Sequence, residues 1–327
     1  MQYRQFGRTD WQVSEICFGA WQLGGTWGAV DKKEAIATLH CAFEQGINLV
    51  DTAAAYGGGQ SETLVGQAVK QWHKVTGNKD IFTATKVAPL GISPETKYQD
   101  SIVGRYPKDY VIKQVEASLK RLQLECIDLL QLHLWFSDGT EQLEWLDILL
   151  SLVKAGKVRE IGVSLPDIKP ETGIELAKTE LVCCQQVIYN LFEQAPNVEL
   201  FRQGQQTNSA FIARVPFDSG ALTGTWRADT YNTWSDDDKR HQMYQGERFD
   251  ETLQRVEQLK SLAAKFGYSL AEVAMRFCLA DHAVTTVACG MRNTDEVKLN
   301  TAYSDGQQLP IALLEQLTEH QWLHKFY

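Results

Sequence analysis

Short apolar runs alternate with longer amphipathic stretches along almost the whole chain. Ser14–Phe18 is apolar-rich and stops at Gly19, Ile47–Val50 ends at Asp51, Ile81–Lys86 ends in a lysine and Ile127–His133 in a histidine. Glu160–Ser164, Cys184–Tyr189, Ser209–Val215 and Thr285–Cys289 repeat the pattern. These runs are rich in Ile, Val and Leu, as strands covered on both faces are. Helical patterns lie between them. Asp31–Gln45 puts Ile36, Leu39, His40 and Phe43 on one face, with Gly46 as the stop. Ser61–Trp72, Pro107–Leu122, Glu141–Ala155, Pro170–Thr179, Val198–Arg202, Glu251–Phe266, Ser269–Leu279 and Thr294–Ala302 follow. Ile311–Lys325 predicts a C-terminal helix, and the turn Gly7-Arg8-Thr9-Asp10 an N-terminal hairpin.

Strand and helix thus alternate about eight times in 327 residues. That suits an α/β fold of the closed (β/α)8 barrel type. An open, doubly wound sheet shows the same alternation and is the competitor on pattern alone. No linker, repeat or block of like charge marks a boundary, so one domain over residues 1–327 is expected.

Composition narrows the partners. The chain is 44% hydrophobic with a formal net charge of -9 and no Lys/Arg-rich run. Nucleic acid and anionic membrane are poor partners for such a chain, although a local basic site for an anionic cofactor is compatible with it. No apolar run reaches spanning length, and the polar N-terminus lacks the apolar core of a signal peptide. Seven cysteines, an odd number without CxxC spacing, suggest buried reduced thiols and a cytoplasmic location.

The chemistry lies at the strand ends. Gly46–Glu62 delivers Asp51 to the end of the second barrel strand, then Tyr56 on a loop with Gly57, Gly58 and Gly59. The third strand ends at Lys86 and the fourth at His133. In a barrel these ends converge on one face. Each residue has an ordinary reading: Asp51 as a helix cap, Tyr56 over a turn, Lys86 as a solvated terminus, His133 as a core histidine. Four such coincidences at successive strand ends are much rarer than one. Together the set can act as a general acid beside a polarised carbonyl. A lysine next to a tyrosine is expected to lower the phenol's pKa from about 10, and an aspartate to hold that lysine charged. No good nucleophile–base pair is present, so covalent hydrolysis fits less well.

The segments INLVDTAAAYGGGQSE, TATK, DLLQLH, GKVREIGVS, QQVIYNLF, ARVPFDSGALTG and GMRNTDEVKLN, in that order, resemble the aldo-keto reductase superfamily over nearly the whole chain. The resemblance implies a (β/α)8 barrel plugged at its base by the N-terminal hairpin. It implies NADP(H) in preference to NAD(H), and reversible hydride transfer to an aldehyde or ketone. Asp51, Tyr56, Lys86 and His133 match its catalytic tetrad, with Tyr56 as proton donor. For the cofactor, the resemblance carries over Ala20, Trp21 and Asp51, Ser164 and Gln186 for the carboxamide, and Phe217, Ser219, Gly220 and Leu222 for the pyrophosphate. Gly290, Arg292 and Asn300 match the segment that takes the adenosine 2′-phosphate and adenine. Leu165 stands where the family has an Asn, Glu296 where many members have Gln or Arg, and Leu299 where many have Glu. Arg214 stands where an aromatic ring usually underlies the nicotinamide. It either stacks on that ring and favours the reduced cofactor, or turns away to pair with an acid.

Trp21, Trp27, Trp135 and Phe136 lie near strand ends, and Trp21, Trp27 and Trp135 join Tyr56 and His133 as candidate substrate contacts. Apolar or aromatic carbonyl compounds suit such walls. Residues 225–248 are polar and weakly patterned; they suggest a mobile loop over the cofactor, or a plain surface insertion. His320 and His324, four apart on the expected last helix, look like ordinary surface. A small-molecule oxidoreductase is the leading reading, with an undetermined oligomeric state and no metal. The rivals are a cofactor-binding regulatory barrel with little turnover and, more remotely, a metal-dependent hydrolase.

Overall fold

The apolar runs pair as parallel strands and close on themselves. The computed structural model describes residues 1–25, 28–93, 96–236 and 238–324. An antiparallel hairpin, β1 (Tyr3–Gln5) and β2 (Gln12–Ser14), comes first. Then follow β3 (Ile16–Gly19), β4 (Leu49–Asp51), β5 (Phe82–Val87), β6 (Ile127–Leu132), β7 (Val158–Ser164), β8 (Cys184–Ile188), β9 (Ala210–Arg214) and β10 (Val284–Gly290), each parallel to its neighbours. The last strand returns to the first, pairing Val287 with Ile16 and Gly290 with Gly19. Closure removes both sheet edges and rules out the open sheet.

The hairpin plugs the N-terminal mouth. Phe6, Trp11 and Val13 form one cluster with Cys17, Leu49, Ala84, Leu129, Cys184, Ala210 and Ile212, which point into the barrel. Trp11 stacks on Phe82 with ring centroids 4.8 Å apart. The hairpin thus covers one mouth and leaves the opposite one, where the strands end, uncovered by it.

Helices wrap the outside: α1 (Lys32–Glu44), α2 (Gln60–Thr76), α3 (Lys108–Leu122), α4 (Glu144–Lys154), α5 (Ile174–Ala177), α6 (Leu200–Gln206), α7 (Lys239–Met243), α8 (Glu247–Lys265), α9 (Leu270–Ala280), α10 (Thr294–Ala302) and α11 (Ile311–Thr318). Their starts follow the capping chemistry in the sequence: Asp31, Ser269 and Asn293 each accept a backbone N–H of their own first turn. None of the described helices is long and apolar enough to cross a membrane.

Three expectations change. The helix expected over Pro170–Thr179 is a 3-10 turn, Pro170–Gly173, followed by the single turn α5. The described residues of the 225–248 segment are folded, not a loose insertion. Trp226 is buried, with Tyr244 at 4.8 Å, Trp234 at 5.0 Å and Phe249 at 5.6 Å between ring centroids. These aromatic rings, spaced irregularly in sequence, give no periodic signal but bury one another. Finally, α11 stops at Thr318, and the tail beyond it turns inward: Trp322 packs on Phe192, and His324 is buried. Trp27 and Lys325 lie outside the described residues.

Candidate active site

Lys86 is the hub of the open mouth. It lies on β5 with no exposed surface, and its Nζ donates to Asp51 Oδ2 at 2.6 Å, Thr52 O at 2.9 Å and the Tyr56 hydroxyl at 3.3 Å. Burial would lower the lysine's pKa, but Asp51 and then Tyr56 outweigh it and the net shift is upward. Lys86 is therefore an ammonium at neutral pH. Removing one partner of such a buried pair typically costs about 3–5 kcal/mol, because the other charge is left uncompensated. Gln131 Nε2 donates to the second Asp51 oxygen at 3.2 Å. Period-two alternation on β6 sets Gln131 on the same side as His133, a signal that pattern reading had available.

Tyr56 stands on the loop that the glycines permit. Gly57 has φ 60°, and a Cβ there would lie 2.3 Å from the carbonyl oxygen of Gly24. Only glycine lets the two loops close this tightly. Behind them the carboxylate of Glu62, fully buried, joins Thr85 on β5 to Arg121 on α3. Lys86 does pull the Tyr56 pKa down, as expected, but it does not set the net direction. Burial of the phenol raises it first, Lys86 opposes, Asp51 adds to the rise, and the net direction is upward. Tyr56 is a neutral phenol, the form a proton donor needs.

His133 follows β6 and meets Tyr56 edge to face, with ring centroids 5.7 Å apart. Burial, then the charges of Lys86 and Arg214, push its pKa down to about 3. It is a neutral imidazole with one N–H to offer. The four predicted residues do converge. Trp21, in the turn after β3, lies 6.5 Å from Tyr56 between ring centroids and walls the same mouth. Trp135 does not: it is fully buried, donates its indole N–H to Thr172 O at 3.0 Å and packs on Trp145. Phe136 is likewise buried. Ala20 is fully enclosed, with its N–H on Asp51 O and its carbonyl on the Ser61 hydroxyl, so it shapes the mouth from behind.

Around the rest of the rim, Ser164 ends β7 and Gln186 lies on β8, both buried. Gln186 Nε2 has no hydrogen-bond partner in the protein. A buried amide donor without an acceptor suits a ligand carbonyl such as a carboxamide. Leu165 is buried and offers no side-chain amide. Arg214, at the end of β9, donates to Leu165 O at 3.1 Å and pairs with Asp167 at 2.5 Å. It takes the acid-pairing alternative, yet remains close enough to act electrostatically on both Tyr56 and His133.

Beyond β9 the chain makes the tight loop of Phe217, Asp218, Ser219 and Gly220, ending at buried Leu222. Ser219 Oγ is buried beside the Tyr244 hydroxyl. Backbone N–H groups and a hydroxyl in such a turn suit phosphate oxygens. Gly290 ends β10, and Arg292 is exposed just before α10. Asn300 is buried, with its amide nitrogen 3.2 Å from Cys289 Sγ, so it faces inward. Sequence reading missed Thr52, Gln131, Glu62, Asp167 and the groups that brace the 215–220 loop: Asn190, Glu193, Tyr244 and His324.

The model of the Aldo/keto reductase family matches residues 15–321. Aldo-keto reductase YhdN of Bacillus subtilis (strain 168) is 33% identical, the match covering 91% of this chain and 87% of that protein. The NADH-specific methylglyoxal reductase of Escherichia coli (strain K12) is 26% identical over 90% of this chain and 91% of its own. Among solved structures, the glycerol dehydrogenase AKR11B4 from Gluconobacter oxydans superposes with a TM-score of 0.77 at 28% identity, covering 98% of this chain and 94% of that one.

Proposed function

The chain belongs to the aldo/keto reductase family of oxidoreductases, and from that premise we propose a nicotinamide-dependent reductase of aldehydes and ketones, working reversibly, with Tyr56 as the proton donor. The observation that carries this reading is the buried Lys86, bonded at once to Asp51 and Tyr56. When bound, the cofactor supplies a hydride to the carbonyl carbon. The protein's part is the oxygen. His133, neutral, donates an N–H to the carbonyl oxygen and orients it. Tyr56 gives that oxygen a proton, and the phenolate that forms is met by the Lys86 ammonium. Asp51 keeps Lys86 charged inside the barrel. The stabilising charges are fixed in place before reaction, so little reorganisation is needed.

The residues present fit a nicotinamide dinucleotide. Gln186 and Ser164 would hold the carboxamide, and the unpartnered Gln186 Nε2 supports that. The 217–222 loop would take the pyrophosphate. Arg292 would meet an adenosine 2′-phosphate, and on this ground NADP(H) is the preferred cofactor. Glu296 limits the preference. Its carboxylate accepts the Arg292 N–H at 2.7 Å and stands 3.8 Å from the Arg292 side chain. A phosphate dianion there meets a negative neighbour, so NAD(H) is accepted as well. Trp21 gives the substrate an apolar wall; methylglyoxal, a small α-oxoaldehyde, and glycerol, a small polyol for the reverse direction, are the compounds two relatives' names mention, and they belong on the test panel beside aryl ketones.

The test follows loss of reduced-nicotinamide absorbance with NADPH and NADH on aldehydes and ketones. Tyr56→Phe is expected to lower kcat by about 10²–10⁴-fold, the range of a general acid, with cofactor affinity kept. Cofactor binding without turnover would favour the regulatory reading. Full turnover in Tyr56→Phe would remove Tyr56 from its role.

A further inference from the structure

Residues 215–220 have the least ordinary backbone near the open mouth. Val215, Asp218 and Ser219 have φ of 61°, 45° and 57°, and none is glycine. This left-handed region disfavours L side chains, most of all a β-branched one, and persists only where the surroundings hold it. Three groups remote in sequence hold it here. Asn190, after β8, donates its amide to Val215 O at 2.9 Å. Tyr244, after α7, donates its hydroxyl to Asp218 O at 2.9 Å. His324, in the tail after α11, contacts Asp218 Oδ1 through Nε2 at 3.0 Å and Glu193 Oε1 through Nδ1 at 3.1 Å. His324 and Glu193 are each 3% exposed and Asp218 is 0% exposed.

We propose that His324 is a positioning residue for the cofactor: the C-terminal tail clamps Asp218 against Glu193 and so keeps the 215–220 loop in the shape that receives the pyrophosphate. This rests on the nicotinamide-dependent reading. The clamp does two things. It fixes the backbone of a strained loop through the side chain of its central residue. It also turns the Asp218 carboxylate inward onto a cation. A carboxylate released within a phosphate loop would repel the diphosphate it has to bind. Burial opposes a charged imidazole, but Asp218 and then Glu193 override it and push its pKa up to about 10, so both ring nitrogens carry protons for the two acids. His324, Asp218 and Glu193 lie in the tail and in the turns after β9 and β8, whereas Asp51, Tyr56 and Lys86 are placed by β4, the loop after it and β5. A fault in the clamp therefore reaches the chemistry only through cofactor affinity.

The experiment uses the full chain. NADPH and NADH are titrated by tryptophan quenching, and steady-state constants are measured in parallel. His324→Ala is expected to raise both cofactor Kd values about tenfold while kcat at saturating cofactor stays within twofold. Adding Asp218→Asn to His324→Ala removes the loose charge and is expected to recover at least a third of the lost affinity. Tyr244→Phe, which deletes one hydroxyl, is expected to raise Kd about threefold and serves if His324→Ala does not fold. Hydrogen exchange of the 215–222 amides in the cofactor-free protein is expected to quicken at least tenfold in either variant, with the barrel strands unchanged. If the wild type binds no nicotinamide cofactor, the functional reading fails, and the exchange result alone still decides the clamp. If the wild type binds and His324→Ala or Tyr244→Phe binds equally well, the clamp is overturned. Loss of thermal stability and kcat at unchanged Kd also overturns it, since a purely structural histidine would behave that way.

Discussion

Glu296 and Arg292 show how one neighbour alters the meaning of a residue. An arginine before a helix start is a ready anion site, but here the helix already has a carboxylate in its first turn, capped in return by Asn293. Glu296→Gln keeps the capping geometry and removes the charge. It is expected to tighten NADPH by roughly threefold to tenfold and to leave NADH within twofold, as read by paired titrations; equal shifts for both would separate Arg292 from the 2′-phosphate. Single residues were legible in the sequence where their role is set by their own strand. Asp51, Lys86 and His133 announce themselves as polar residues closing apolar runs. His324 does not, because both of its partners are more than a hundred positions away and its helix stops before reaching it. The net direction of the Tyr56 shift is not legible in the sequence for a related reason. The neighbouring lysine is visible in the sequence, but the depth of burial that outweighs it is not.

At the scale of elements, strands were legible and connections were not. Barrel strands carry a two-sided apolar pattern, shared with the covered strands of an open α/β sheet, so the strands are legible while their closure is not. Trp135 follows such a strand and looked like a pocket wall; only the packing of α4 against β7 shows it to be enclosed under Trp145. The loop after β4 is a sharper case. Its three glycines read equally well as a flexible turn or as a fitted one, and the contact with Gly24 decides for the second. Gly57→Ala should therefore cost more than the roughly 1–2 kcal/mol of a left-handed alanine, because the two backbones must also separate. A fall of several degrees in Tm, with kcat reduced through a displaced Tyr56, is expected. An unchanged melting curve would show that the loops part freely.

At the scale of the molecule, the buried histidine couples stability to pH. The imidazole titrates near about 6.5 in an unfolded chain and at about 10 when folded. Between these values the unfolded chain has released a proton that the folded protein keeps. The stability this group contributes is thus complete below about pH 6.5 and falls as pH rises toward 10, by up to roughly 1.4 kcal/mol per pH unit. Urea unfolding of wild type and His324→Gln should show the largest gap near pH 6 and a smaller one near pH 9; a gap that widens with pH would contradict the assigned charge. Strand order has a separate consequence. Asp51, Tyr56, Lys86 and His133 all belong to the first four barrel strands, whereas the proposed carboxamide, pyrophosphate and phosphate contacts, from Ser164 to Arg292, belong to the last four. The barrel is divided by sequence into a reacting half and a gripping half. A recombinant joined in the turn between His133 and α4 would inherit its proton chemistry from one parent and its choice of coenzyme from the other.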